Sequence, residues 1–137
     1  MGDKLHIGVL GTGIIVRGSH LPVLQSHPNA AVVAAGNIHS ESLASLAEDF
    51  NIAKTYTDFS AMAADPDIDV VINALPNYLH APVSIQMLEA GKHVLCEKPM
   101  AMSVEEAHQM IVASDNSNRK LMIGHMWRFD REVIWLR

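Results

Sequence analysis

The chain has little cysteine, no long apolar run and no cluster of positive charge, and each absence closes off a class of protein. A single thiol, Cys96, excludes an internal disulfide framework and any cysteine-rich zinc site. No apolar stretch approaches the ~20 residues of a membrane span. The opening Met1-Gly2-Asp3-Lys4 leads into strand-like alternation, unlike a signal-peptide core. Ten basic residues against fifteen acidic ones give a formal charge of −5, and no basic run offers a footprint for nucleic acid. The eight histidines have no HxH or HxxxH spacing, so no metal site is expected. No repeat or low-complexity tract is visible. What remains is a cytoplasmic α/β domain. At 137 residues and 49% hydrophobic content, it is long enough to bury roughly two thirds of its unfolded surface without a staple.

The apolar pattern alternates between two periods. Strands are predicted over Lys4 to Leu10 (alternating toward Ile7 and Val9), Ala30 to Gly36, Lys54 to Thr57, Asp69 to Leu75, His93 to Cys96 and Lys120 to His125. Helices are predicted over Ile14 to Ser26, Ser40 to Phe50, Phe59 to Ala64, Tyr78 to Ala90 and Ser103 to Ser114. Ser103 with Glu106 reads as a capping box, and Gly91 as a C-cap. Met62, Met87, Met110 and Met122 fall at core-like positions. Strands alternating with helices at this spacing predict a doubly wound parallel sheet in the order 3-2-1-4-5-6. Ligands of such sheets bind beyond the carboxyl ends of the strands, so the informative segments follow Leu10, Gly36, Leu75, Cys96 and His125.

The first of these is Gly11-Thr12-Gly13-Ile14-Ile15-Val16. Gly11 allows the tight turn, Gly13 lets a diphosphate approach the backbone, and free amides at the helix start meet its charge. Val16 stands where a third glycine is usual. At the end of the second strand, where a carboxylate usually binds the adenine ribose about 20 positions beyond the loop, stand Asn37, Ile38, His39 and Ser40. A carboxylate would repel a 2′-phosphate, so its absence admits NADP. Asn37, His39 and Ser40 offer donors, although no Arg or Lys follows nearby. NADP is slightly favoured over NAD. After strand four, Asn77 suits an N-cap, and His80 lies one turn in on the same side. Its alternative is a purely structural histidine. After strand five comes Glu97-Lys98-Pro99. Pro99 fixes the backbone, and Lys98 is placed to polarise or deprotonate a substrate hydroxyl.

Together the glycine loop, Pro76-Asn77-Tyr78-Leu79-His80 and Leu88-Glu89-Ala90-Gly91-Lys92-His93-Val94-Leu95-Cys96-Glu97-Lys98-Pro99 resemble the Gfo/Idh/MocA oxidoreductases, the glucose-fructose oxidoreductase and inositol dehydrogenase family. Gly124 with Arg128-Phe129-Asp130 is similar to the family's sixth strand and the turn after it. The resemblance implies a Rossmann dinucleotide-binding domain over residues 1–126, then the start of a linker over 127–137, with the C-terminal substrate domain absent. It implies that Lys98 is catalytic. It places the cofactor on Gly11, Thr12, Gly13, Ile14, Asn37, His39, Leu75, Pro76, Asn77, His80, Glu97 and Lys98. The implied activity is hydride transfer between a nicotinamide and the hydroxyl-bearing carbon of a sugar or cyclitol-like substrate. Separately, the apolar end segment Val133, Ile134, Trp135 and Leu136, with no second domain to pack against, predicts a homo-oligomer. The family's second domain also supplies an Asp-x-x-x-His pair, which this sequence does not contain. The chain is therefore expected to be a fragment, inactive alone, or else a non-catalytic nucleotide-binding module. A CoA-binding or redox-sensing domain would share the glycine loop but gives no reason for Glu97-Lys98-Pro99.

Overall fold

The computed structural model describes residues 4–136. Six strands form one sheet: β1 (Leu5–Leu10), β2 (Ala30–Gly36), β3 (Lys54–Tyr56), β4 (Val70–Asn73), β5 (His93–Cys96) and β6 (Leu121–Ile123). Their order is β3-β2-β1-β4-β5-β6 and every pairing is parallel. The helices are α1 (Leu21–Ser26), α2 (Ser40–Asp49), α3 (Phe59–Ala64), α4 (His80–Glu89), α5 (Val104–Ser117) and α6 (Arg131–Trp135). Parallel neighbours require crossovers, and the helices that supply them cover both faces of the sheet.

Two cores result. On one face Leu10, Met62, Ile68, Met87, Leu88 and Met110 pack together. On the other, Val9, Val16, Leu21, Leu43, Leu46 and Ile72 do so. Successive residues of β1 feed opposite faces, and the strand is buried from Ile7 through Leu10. The one-sided alternation expected for β1 is therefore replaced by two-sided burial. Gly8 makes this possible, because a Cβ there would stand 2.3 Å from the Met62 methyl. Met122 also departs from expectation. It is half exposed, because β6 is an edge strand and one of its sides has no covering helix.

The helix ends follow local chemistry. Ser103 Oγ accepts from the Glu106 amide at 3.1 Å. The Glu106 carboxylate reaches back to the Met102 amide at 2.9 Å, one residue before the usual partner. α5 runs past Ser114 to Ser117 and stops where Asn118 adopts a left-handed φ of 51°. No breaker precedes Asn118, so the polar last turn was invisible to hydrophobic periodicity. Before α1, residues Val16–His20 are wound as a π-helix, and the Leu21 amide bonds to the Val16 carbonyl. Before α4, Asn77–Leu79 form a 3-10 turn.

Candidate cofactor and catalytic site

The carboxyl ends of the strands bring the predicted segments to one edge of the sheet. The turn after β1 is held by the Gly11 amide, which donates to the Gly36 carbonyl at 2.9 Å. Gly11 has a φ of +100°, and a Cβ there would lie 2.5 Å from the Ala74 carbonyl oxygen, so only glycine fits. At Gly13 a Cβ would meet nothing within 4 Å. Among the described residues, the amides of Thr12 and Gly13 have no acceptor. Unpartnered amides beneath open space at a helix start fit a diphosphate. The residues present thus suit a dinucleotide.

Beyond β2, Asn37 is nearly buried, and its Nδ2 donates to Thr12 Oγ1 at 2.6 Å and to Ser42 Oγ at 3.2 Å. Thr12 Oγ1 in turn donates to Ser42 Oγ at 3.2 Å. Asn37 therefore ties the glycine loop to the start of α2. His39 is exposed and precedes α2 without a side-chain capping bond. Sequence spacing finds no cation here, but the fold supplies one: Arg17 Nε donates to the Thr12 carbonyl at 3.3 Å.

Beyond β4, Leu75 is buried, whereas Pro76 and Asn77 are exposed. Asn77 is not the N-cap expected of it: Pro76 and Leu79 occupy the cap positions, and neither caps through its side chain. The chain enters α4 through a 3-10 turn, which moves Asn77 off the helix end. His80 does not share the exposed side of Asn77. Its ring is fully buried, with Nε2 2.8 Å from the Leu75 carbonyl oxygen and Nδ1 2.6 Å from that of Pro99. Carbonyl oxygens only accept, so each contact is a hydrogen bond where the facing ring nitrogen carries the proton.

Beyond β5, Glu97 is buried and Lys98 exposed. One carboxylate oxygen of Glu97 lies 2.8 Å from His20 Nε2, and the other accepts from the Lys98 amide at 3.2 Å. A Cβ on Gly124 would touch this carboxylate at 3.4 Å, an ordinary contact distance. The Lys98–Pro99 bond is cis. Glu97 is thus engaged by protein, and its partner His20 comes from the π-helical segment, a pairing across 77 positions that no local pattern reveals. Among the described residues the Lys98 ammonium has no hydrogen-bonding partner. It borders a cavity of ≈ 410 Å³, lined also by Pro99, Gly124, His125, Met126 and Trp127. The neighbouring Cys96 thiol is pushed up to about 11 by burial.

Residues 5–125 match the model of an oxidoreductase family with an NAD-binding Rossmann fold, GFO_IDH_MocA. The chain belongs to the Gfo/Idh/MocA oxidoreductase family. It is 31% identical to inositol 2-dehydrogenase of Salmonella paratyphi B over 135 residues, 97% of this chain and 40% of that protein. The WlbA dehydrogenase of Chromobacterium violaceum, solved with NADH and UDP-GlcNAcA, superposes with a TM-score of 0.93 at 28% identity, covering 99% of this chain and 39% of that one. KijD10, a 3-ketoreductase of Actinomadura kijaniata solved with NADP and TDP-benzene, gives 0.90 at 26% identity over 98% of this chain and 41% of that one. The chain spans 32% to 40% of the length of the curated relatives it matches. No helix among the described residues is long and apolar enough to cross a membrane.

Proposed function

We propose that this chain forms the dinucleotide-holding part of a cytoplasmic oxidoreductase that moves hydride between NAD(P) and a hydroxyl-bearing carbon of a sugar or cyclitol-like substrate. Residues 1–126 form that part, and residues 127–137 begin the connection to the remainder. The observation that carries this reading is Lys98. Its ammonium is free and exposed beside an open cavity, while the residues on both sides of it are anchored, Glu97 by His20 and Pro99 by His80.

The nicotinamide supplies the hydride donor or acceptor. The chain's own groups do the rest. The amides of Thr12, Gly13 and Ile14 hold the diphosphate, Asn37 and His39 face the adenine ribose, and Leu75, Pro76 and Asn77 border the nicotinamide half. Lys98 holds a proton at the substrate hydroxyl oxygen. His80 and Glu97 serve this site by fixing the Lys98 turn. Because no carboxylate stands at Asn37, NADP(H) binds at least as well as NAD(H).

A second reading rests on the span of the chain relative to its relatives, 40% or less: these residues alone bind nucleotide without turnover. Calorimetry with NADP(H) and NAD(H), a test of whether the gene or transcript continues in frame beyond Arg137, and assays for turnover of its product on sugars and inositols separate the two. Binding with turnover supports the enzyme, and binding without it the module. Failure of both dinucleotides to bind at millimolar concentration overturns both readings.

We further infer self-association through the exposed side chains Trp127, Phe129, Ile134, Trp135 and Leu136. An apolar patch of this kind favours a partner surface. Light scattering that shows only monomer across a concentration series would contradict this.

A further inference from the structure

Arg17 lies one turn into the helix opened by the glycine loop. Its Nε holds the Thr12 carbonyl at 3.3 Å, its Nη2 donates to Ser45 Oγ at 3.1 Å, and its Nη1 pairs with Asp49. The Thr12 side chain meets Asn37 and Ser42. A guanidinium and a set of hydroxyl and amide groups therefore converge on one loop residue, the first through its backbone and the second through its side chain. In this fold the adenine ribose lies over the end of the second strand, which here is the Asn37 side of that cluster. Among the described residues, no other Lys or Arg side chain is hydrogen-bonded to the glycine loop.

We propose that Arg17 is the specificity-determining cation for NADP(H). It exchanges Asp49 for the 2′-phosphate, while Asn37 and Ser42 border the ribose. This rests on the reading that the glycine loop holds a dinucleotide. Two facts support the exchange. The side chains of Arg17 and Asp49 are 32% and 54% exposed, and an ion pair so open to water is weak. The planar guanidinium matches two phosphate oxygens at once, a geometry that a lone carboxylate oxygen does not use. The cation comes from the first helix and not from the residues after β2, where a sequence search looks for it.

Calorimetry with NADP⁺ and NAD⁺ tests this on the chain itself, with thermal melts to establish that each variant is folded. Arg17→Ala should weaken NADP⁺ binding about ten- to a hundredfold and leave NAD⁺ within about threefold. Arg17→Lys, which keeps the charge and loses the fork, should fall between. Asp49→Ala should strengthen NADP⁺ binding a few fold, because it frees Arg17 and removes a negative charge. If Arg17 is merely a strut between the two helices, Asp49→Ala will mimic Arg17→Ala, and both dinucleotides will weaken together. Either of those results overturns the proposal. Should Arg17→Ala fail to fold, the opposite signs expected for Arg17→Lys and Asp49→Ala still decide it. If the parent chain binds neither dinucleotide, it is the dinucleotide reading that falls, and the proposal falls with it.

Discussion

His80 Nδ1 lies 2.6 Å from the carbonyl oxygen of Pro99, joining the start of α4 to the turn that carries Lys98. The same ring meets the Leu75 carbonyl at 2.8 Å. Replacing the ring strands two carbonyls in the interior and opens a cavity. His80→Ala should cost about 2–4 kcal/mol of stability, and His80→Gln less. Urea denaturation measures both. A loss within 0.5 kcal/mol, the usual range of a surface change, would show that the bridge is not what holds this edge together.

Lys98 is the one group of the Glu97-Lys98-Pro99 turn that the fold leaves free. With this chain joined to a substrate domain, Lys98→Ala should lower turnover roughly two to four orders of magnitude, the span of a positioned acid or base. Dinucleotide affinity should change far less, since it rests on the glycine-loop amides. Steady-state kinetics together with calorimetry check this. A rate within threefold of the parent would remove Lys98 from the chemistry.

Asp65 accepts from Lys54 Nζ at 2.8 Å, from Tyr56 Oη at 2.7 Å and from the Asp67 amide at 2.9 Å. The bond from Lys54, then that from the Asp67 amide, hold its carboxyl down at about 2. An unfolded Asp titrates near 3.9. Its contribution to stability is therefore complete above pH ~4 and is lost as pH falls from there toward 2. Asp65→Asn should flatten the acid limb of the stability curve over that window. Urea midpoints measured between pH 2 and about 6 test it, and an unchanged slope would assign the acid sensitivity to other carboxylates.

Cys96 is fully buried at the end of β5, and burial raises its thiol to about 11. Little thiolate exists near neutrality, so a disulfide reagent at pH ~8 should modify it only as fast as the protein opens. Modification that is rapid in water and unaffected by added dinucleotide would mean that this strand end is accessible.

The strand order and most element bounds were legible because two-sided burial leaves continuous apolar runs such as Ala30 to Gly36 and Val70 to Ile72. The glycine loop and Lys98 were legible because their chemistry is written in consecutive residues. What escaped was tertiary. His80 reads as a group one turn into a helix, and nothing local says that its ring turns inward to Pro99. Asn77 has the composition of a cap, yet the 3-10 turn displaces it. His20 meets Glu97 and Arg17 meets Asp49 only through the fold, because both pairs are remote in sequence.

The π-wound stretch of the first helix has a practical meaning. Val16 and Leu21 are both wholly buried although they are five residues apart, a spacing that a regular α-helix would splay onto different sides. The helix therefore contains one residue more than its two anchors need. Gly18, with open space around it, is the spare. Excising Gly18 would let the segment relax to four-residue spacing with both anchors still seated and His20 still beside Leu21. An excision within α4 or α5 would throw every later side chain out of phase. Length variation in this domain is thus tolerable at one point of its framework, beside the loop that holds the nucleotide, and a melting temperature close to the parent's after that single excision would demonstrate it.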